Sequence, residues 1–370
     1  MSTHITPIVM PKWGLEMREG NVSAWLVDEG TEITVGMPIL DVETDKISNA
    51  VEAPDPGLLR RKVAQAGETL PVKALLGVLA DASVSDAEID AYVAAFEVPA
   101  AAADDEDAAP AYNYAEIDGL RVRYVRRGQE AGVPVLFIHG FGGDLDNWLF
   151  NLDTVAKAAP VIALDLPGHG QSTPQLPGTA LANLAGFVLL FLDQIEVAQV
   201  HLVGHSLGGA IATRMALDYP SRVASLALVS PAGLGPEINA GYIEGFVDAT
   251  SRRELKPVVE QLFAKPDLVS RQLIDDLLKY KRLDGVTEAL RALGEGQYAG
   301  GKQVEQPGLE LASADKPVLV IWGREDRIIP AAHAGNAPTG ATVVVLDGAG
   351  HMSMMEKASD VNTLLERHIA

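Results

Sequence analysis

The sequence contains no cysteine. No disulfide, thiolate nucleophile or thiolate metal site is available, so any thiol chemistry must arrive on a cofactor or a substrate. Positive charge is scarce: 29 Lys and Arg stand against 50 Asp and Glu, a formal net charge of -21. Phosphate backbones are bound by clustered cations, so this balance excludes an ordinary nucleic-acid-binding role and argues against an anionic membrane surface. Long apolar runs are also missing. Nothing approaches the roughly 18 apolar residues that span a bilayer. The first residues lack the basic-then-apolar pattern of a signal peptide, which makes the cytoplasm the expected location. No HExxH or related spacing exists, so no metal site is expected.

The chain has 370 residues, enough for two or three domains that each bury a core. Residues 100–110, AAAADDEDAAP, hold four consecutive acids and no large apolar side chain. Such a segment cannot offset its ordering entropy and reads as an extended, mobile linker. The expected division is a small domain over 1–80, a helical segment plus linker over 81–111, and a large domain over 112–370. Within the middle segment, Ser85 with Glu88 forms a capping-box pattern, and Ile89, Tyr92, Val93 and Phe96 follow at helical spacing. This short helix resembles the last helix of the peripheral subunit-binding domain of 2-oxo-acid dehydrogenase acyltransferases. A helix that merely packs on a neighbour is the equally good alternative.

The small domain repeats itself at an offset of 37 residues. Gly20 falls on Gly57, Leu26 on Val63, Gly30 on Gly67, Ile33 on Leu70, Val35 on Val72, Ile39 on Leu76 and Val42 on Leu79. Short β-branched segments punctuated by Gly and Pro predict strands. Two similar half-sheets would close a flattened all-β barrel around one core. The repeat ends at Val42 and restarts near Ile47, so Glu43-Thr44-Asp45-Lys46 sits at the junction, where Asp suits a tight turn. A lysine there is open to a modifying enzyme, although a solvated turn lysine is common. Residues 1–80 resemble a lipoyl domain, and Glu43-Thr44-Asp45-Lys46-Ile47 matches its modification motif. Biotin carriers share the fold but place their lysine between methionines, whereas Asp45 and Ile47 flank Lys46 here. The resemblance implies covalent lipoate on Lys46, which would supply the thiols the sequence lacks.

From Tyr112 onward, apolar runs alternate with helical patterns. The runs are Val133–Ile138, Val161–Leu164, Val200–Val203, Ala224–Val229, Val318–Trp322 and Thr342–Leu346, with helices such as Leu184–Ile195 and Ala210–Tyr219 between them. Apolar strands separated by helices predict a mainly parallel sheet covered on both faces, an α/β domain. Gly204-His205-Ser206-Leu207-Gly208-Gly209 lies between a strand and a helix, the context in which G-x-S-x-G forms a strained turn that presents a serine nucleophile. Ser206 needs a base and the base an orienting acid, in the chain order Ser, acid, His. His351 is the base. Asp326, past a strand end, is the favoured acid, with Glu325 and Asp347 as rivals. The oxyanion donors expected are the backbone N–H groups of Leu207 and Phe141.

Residues 112–370 resemble the α/β-hydrolase family, through the His-Gly-Phe-Gly-Gly loop at 139–143 as well as the serine turn. The resemblance implies a helical lid at about 236–303, with Ile243, Phe246, Val258, Leu262, Phe263, Leu268, Leu273 and Leu277 as packing or substrate-facing positions. It also implies that His169 and His205 support loops. A lipoyl domain joined to an α/β-hydrolase domain resembles the acyltransferase (E2) components of acetoin dehydrogenase complexes. Most E2 proteins carry a different catalytic domain with a His-x-x-x-Asp-Gly signature, which is not found here, so the usual E2 core and its trimer-based assembly do not carry over. The resemblance implies acetyl transfer to coenzyme A through a serine acyl-enzyme. The partners it implies are a thiamine-diphosphate-dependent E1 and a dihydrolipoamide dehydrogenase E3, and it implies a homo-oligomer. A lipoyl-tethered serine hydrolase and a scaffold subunit with a structural hydrolase domain are the alternatives.

Overall fold

In the computed structural model the described residues are 5–13, 17–44, 48–98, 112–129 and 131–370. Lys46 and the acidic segment 100–110 lie outside them. The chain forms two compact units, residues 1–111 and, apart from residues 270–273, residues 112–370.

Among the described residues the first unit has eight strands: β1 Ile5–Val9, β2 Glu19–Trp25, β3 Glu32–Ile33, β4 Pro38–Glu43, β5 Ser48–Glu52, β6 Gly57–Lys62, β7 Thr69–Pro71 and β8 Leu75–Ala80. They form two four-stranded sheets, in the orders β1-β8-β6-β3 and β5-β4-β2-β7. The 37-residue repeat maps β2 onto β6, β3 onto β7 and β4 onto β8. Pairing β1 with β5 then turns one sheet order into the other, so the repeat is a pseudo-twofold that exchanges the sheets. The core between them includes Ile8, Val22, Ile33, Ile39, Val42, Leu59, Leu76 and Leu79. Three of the matched aliphatics stand outside this core: Val63 packs on the cluster around Ile89, and Leu26 and Val35 are exposed because they fall in connections, where side-chain alternation no longer aims them inward.

Helix α1, Asp86–Ala95, begins with the capping box, Ser85 accepting from Glu88 N and Glu88 reaching back to the Ser85 N–H. Ile89 is fully buried with Leu75, Val78 and Val84, and Tyr92, Val93 and Phe96 pack around them. All six residues of β8 are buried, since one face meets the barrel core and the other meets α1. Arg60 and Arg61 pair with Asp86 and Asp90 at 3.1 and 2.5 Å.

The second unit continues as β9 Asn113–Ile117, β10 Leu120–Arg127, β11 Val135–Ile138, α2 Leu152–Val155, β12 Val161–Leu164, α3 Leu181–Gln194, β13 Val200–His205, α4 Leu207–Asp218 and β14 Val223–Val229. A helical region follows: α5 Ala240–Asp248, α6 Arg252–Val259, α7 Arg271–Lys281 and α8 Val286–Gln297, ending in a small hairpin, β15 Tyr298–Ala299 and β16 Lys302–Gln303. The fold then closes with β17 Val318–Gly323, β18 Thr342–Leu346, α9 Ser353–Glu356 and α10 Ala358–Ile369. The sheet order is β18-β17-β14-β13-β11-β12-β10-β9. Six strands are parallel, from β18 to β12, and β10 and β9 add an antiparallel edge. The parallel strands β11, β12 and β17 are buried throughout, as a sheet covered on both faces requires. The β9–β10 edge was not legible as apolar runs, because its Arg-rich strand alternates. Its marker is Asp118-Gly119, both at positive φ (50° and 80°), the two-residue turn that matches strand twist.

Candidate active site

Every site residue expected in the second unit lies at the carboxyl end of a parallel strand, where such sheets place their chemistry. Strand β13 ends at His205 and α4 starts at Leu207, leaving Ser206 alone in the turn, at φ 53° and ψ -118°. A non-glycine residue there carries strain of about 1–3 kcal/mol, sustained only when its surroundings over-determine it. The surroundings do so. A Cβ at Gly208 would lie 2.3 Å from the Ile138 carbonyl oxygen, and one at Gly204 would lie 2.4 Å from that of Gly208. The two glycines let helix, strand and loop approach to backbone contact, which forces the serine into its turn.

Asp326 follows β17 and is completely buried as a side chain. Its Oδ1 accepts the Ile328 and Ile329 N–H groups at 2.8 and 3.0 Å, and its Oδ2 accepts from Trp322 Nε1 at 3.0 Å. His351 Nδ1 donates to the same Oδ2 at 2.8 Å. The rivals are placed elsewhere. Glu325 accepts from Ala349 N at 3.1 Å and Asp347 pairs with Arg324, both on the surface. His351 is brought to the serine turn through the neighbouring residue: His205 Nε2 donates to the His351 carbonyl at 3.0 Å, and the two rings stand 4.6 Å apart. Ser206 and His351 are 5% and 2% exposed.

The His139-Gly140-Phe141 loop sits against the same turn, since a Cβ at Gly140 would lie 2.9 Å from Ser206 Cβ. The backbone N–H groups of Phe141 and Leu207 find no acceptor among the described residues. That of Leu207 opens α4, whose first-turn donors have no intrahelical partner and whose dipole favours negative charge. His139 holds the loop: its Nε2 accepts the Leu166 N–H at 2.9 Å, so the proton is on Nδ1, which donates to Gly140 O at 2.8 Å. Burial pushes the His139 imidazole down to about 4 and His169 to about 3, and drives His205 well below its ordinary range. All three are neutral supports of loops.

The helical region roofs this loop. The Phe246 ring rests on Gly142, where a Cβ would lie 2.4 Å from it. The Phe141 ring meets the edges of Phe246 and Tyr298, each at 6.1 Å between centroids. Of the roof positions singled out in the sequence, Ile243, Phe246 and Phe263 are buried, while Val258, Leu262, Leu268, Leu273 and Leu277 are half-buried.

Two residues of the site had no sequence signal. Trp322 anchors Asp326 although it reads as an ordinary strand residue. Glu356, in α9, accepts the N–H groups of Gly350 at 2.6 Å and Ala264 at 2.8 Å, clamping the His351 loop to the helical region. Burial raises its carboxyl above the usual range against those hydrogen bonds. Lys46 lies in the connection between β4 and β5, whose ends pair Glu43 with Ser48.

Residues 133–358 match the family model for the alpha/beta hydrolase fold, and residues 6–79 match that for "biotin-requiring enzyme" domains. The chain is 68% identical over 369 residues to the "dihydrolipoyllysine-residue acetyltransferase component of acetoin cleaving system" of Cupriavidus necator, covering 100% of this chain and 98% of that protein. It is 50% identical over 362 residues to the protein of the same description from Pseudomonas putida, covering 97% of each. Among solved structures, a meta-cleavage product hydrolase from Pseudomonas fluorescens superposes with a TM-score of 0.62 at 22% identity, over 69% of this chain and 96% of that one. That likeness concerns the fold alone.

Proposed function

The chain belongs to the family of dihydrolipoyllysine-residue acetyltransferase components of acetoin-cleaving systems, a lipoyl-type domain followed by an α/β-hydrolase fold, and from that premise we propose how its own residues carry the transfer. The protein is an acyltransferase, and Ser206, His351 and Asp326 are its catalytic residues. The observation that carries this reading is the strained Ser206 turn set beside the 2.8 Å His351–Asp326 hydrogen bond.

Lys46 is the lipoylation site. The pairing of Glu43 with Ser48 brings the hairpin ends together around the motif, which fits an amine presented to a modifying enzyme. Lipoate, when attached, would supply a dithiolane whose reduced, dithiol form carries an acyl group as a thioester.

Toward a thioester carbonyl, the Ser206 hydroxyl gives its proton to His351 Nε2 as Oγ bonds to the carbonyl carbon. Asp326 holds the imidazole with its proton on Nδ1 and stabilises the imidazolium that forms. The carbonyl oxygen, now negative, is met by the N–H groups of Phe141 and Leu207. The carbon–sulfur bond breaks, and His351 returns the proton to the departing thiolate, leaving an acyl-serine. The thiol of coenzyme A then gives its proton to His351, attacks the acyl carbon and releases Ser206 Oγ, which recovers the proton. Transfer needs water kept from the acyl-serine, and the apolar rings of Phe246 and Tyr298 packed on Phe141 of the oxyanion loop favour that. The partners this reading implies are a thiamine-diphosphate-dependent E1 and a dihydrolipoamide dehydrogenase E3, which would act on an arm held by Lys46.

The test is to supply acetyl-dihydrolipoamide and coenzyme A and follow both acetyl-coenzyme A and free acetate. Acetyl-coenzyme A that disappears in Ser206→Ala supports the reading. Acetate alone makes the protein a hydrolase, and no product from the intact protein makes the second unit a scaffold.

A further inference from the structure

The proposed reaction needs a place for the phosphates of coenzyme A. Its thiol and its phosphates occupy opposite ends of an extended molecule, so a phosphate site must be displaced from Ser206. In a chain with so few cations, three meet at one cleft of the helical region. It measures about 190 Å³ and is lined by Lys281, Arg282, Arg291, Asp248, Thr250 and Thr287, among others.

Lys281 is the unusual member. It is 7% exposed, and a buried cation is normally matched by a carboxylate. Among the described residues none is bonded to it. Its ammonium donates instead to the carbonyls of Phe246 and Ala249, at the C-terminal end of α5, and stands 5.4 Å from the centroid of the Phe246 ring. Those contacts engage two of its three protons. Burial lowers it to about 8, against the pull of Asp248 and Glu254 and with the push of Arg291. The acids nearby are committed. Asp248 pairs with Arg291 at 2.9 Å, and Glu254 accepts from the Thr250 and Ser251 N–H groups. Arg282 is exposed and forms no ion pair among the described residues. Phe246 joins the cleft to the site: its carbonyl receives Lys281 while its ring lies on Gly142 of the oxyanion loop.

We propose that this cleft is the phosphate subsite for coenzyme A, with Lys281 at its floor and Arg282 and Arg291 at its rim; the assignment rests on the acetyl-transfer reading above. A phosphomonoester would take the remaining Lys281 proton and a bidentate contact from the Arg282 guanidinium, the geometry that arginine offers to phosphate, with Arg291, already paired with Asp248, adding a further contact. The concave shape favours a small anion over an acidic protein face, which would meet the arginines on a flat surface.

The experiment uses the full-length protein and two exposed substitutions, Arg282→Gln and Arg291→Gln, with the charge reversal Arg282→Glu as a stronger variant. Adenosine 3′,5′-bisphosphate is titrated calorimetrically, and transfer is measured with coenzyme A and with pantetheine, which lacks the phosphates. Each neutral substitution is expected to weaken bisphosphate binding and raise the KM for coenzyme A by roughly tenfold, the weight of one charge-assisted contact. The kcat and the KM for pantetheine stay unchanged. Bisphosphate binding that is indifferent to Arg282→Glu overturns the subsite, as does a pantetheine KM that rises in step. Loss of binding to a partner subunit with unaltered bisphosphate affinity also overturns it. If the protein releases only acetate yet binds bisphosphate through these arginines, the transfer reading falls and the anion site stands. If acetyl-coenzyme A forms but bisphosphate does not bind, the subsite alone falls.

Discussion

The indole of Trp322 and the imidazole of His351 converge on one oxygen, Asp326 Oδ2, at 3.0 and 2.8 Å. With two backbone N–H groups on Oδ1, the carboxylate is held from both sides and can accept the His351 proton in only one orientation. Replacing Asp326 with Asn puts an amide donor among these donors and favours the wrong histidine tautomer. Asp326→Asn is expected to fold and to lose roughly 10³–10⁴-fold in kcat, as carboxylate loss does in comparable triads. Trp322→Phe, which removes one of four hydrogen bonds, should cost far less. Single-turnover formation of the acyl-serine compares the two directly.

The serine turn depends on the absence of side chains. A methyl group at Gly208 meets the Ile138 and His139 carbonyls at 2.3 and 2.5 Å, and backbone cannot move aside cheaply. Gly208→Ala is expected to destabilise the second unit by about 1–3 kcal/mol and to reduce activity further by shifting the turn. Gly335→Ala, where no described residue lies within 4 Å, is the control and should stay within about 0.5 kcal/mol of the parent. Denaturant melts of both variants test the contrast.

Buried neutral histidines make the fold acid-sensitive. In the unfolded chain His139 and His169 titrate near 6.5, while burial lowers them in the fold to about 4 and about 3. Below 6.5 the unfolded chain therefore binds more protons than the native one, and stability rises with pH across that window. The contribution is complete above 6.5 and is lost as pH falls through 4 for His139 and through 3 for His169. Unfolding free energies measured from pH 7 to pH 4 should decline steadily, and His139→Gln should flatten part of the slope.

Glu356 should act with the opposite sign. Burial raises its carboxyl above the ordinary 4.5, so between that value and the folded one the native state holds the extra proton. Its contribution to stability then falls as pH rises through the window. Glu356→Gln should remove this dependence while loosening the Gly350 and Ala264 contacts. The stability difference between parent and variant, followed against pH, is expected to move in favour of Glu356→Gln as pH increases. A fall in kcat without a matching change in KM would mark Glu356 as a positioning residue for His351.

Lys46→Arg keeps the charge but cannot form the lipoyl amide. The variant is expected to lose the lipoyl mass on the peptide containing residue 46 and all turnover coupled to E1, while still acting on free acetyl-dihydrolipoamide. Mass spectrometry and the two assays separate arm from active site.

The sequence by itself determined the repeat of the small unit, the parallel strands and the serine turn, because each is written in local periodicity or in glycines whose spacing admits one backbone path. It also narrowed the acid to residues at two strand ends. Only the tertiary structure distinguishes them: Asp326, Glu325 and Asp347 are chemically alike, and of the three it is Asp326 that the fold buries against Trp322 and His351. The clamp by Glu356, the aromatic roof over Phe141 and the cationic cleft around Lys281 join segments far apart in the chain. No local pattern encodes such meetings, since they arise from packing between elements whose separation in sequence carries no information about their distance in space.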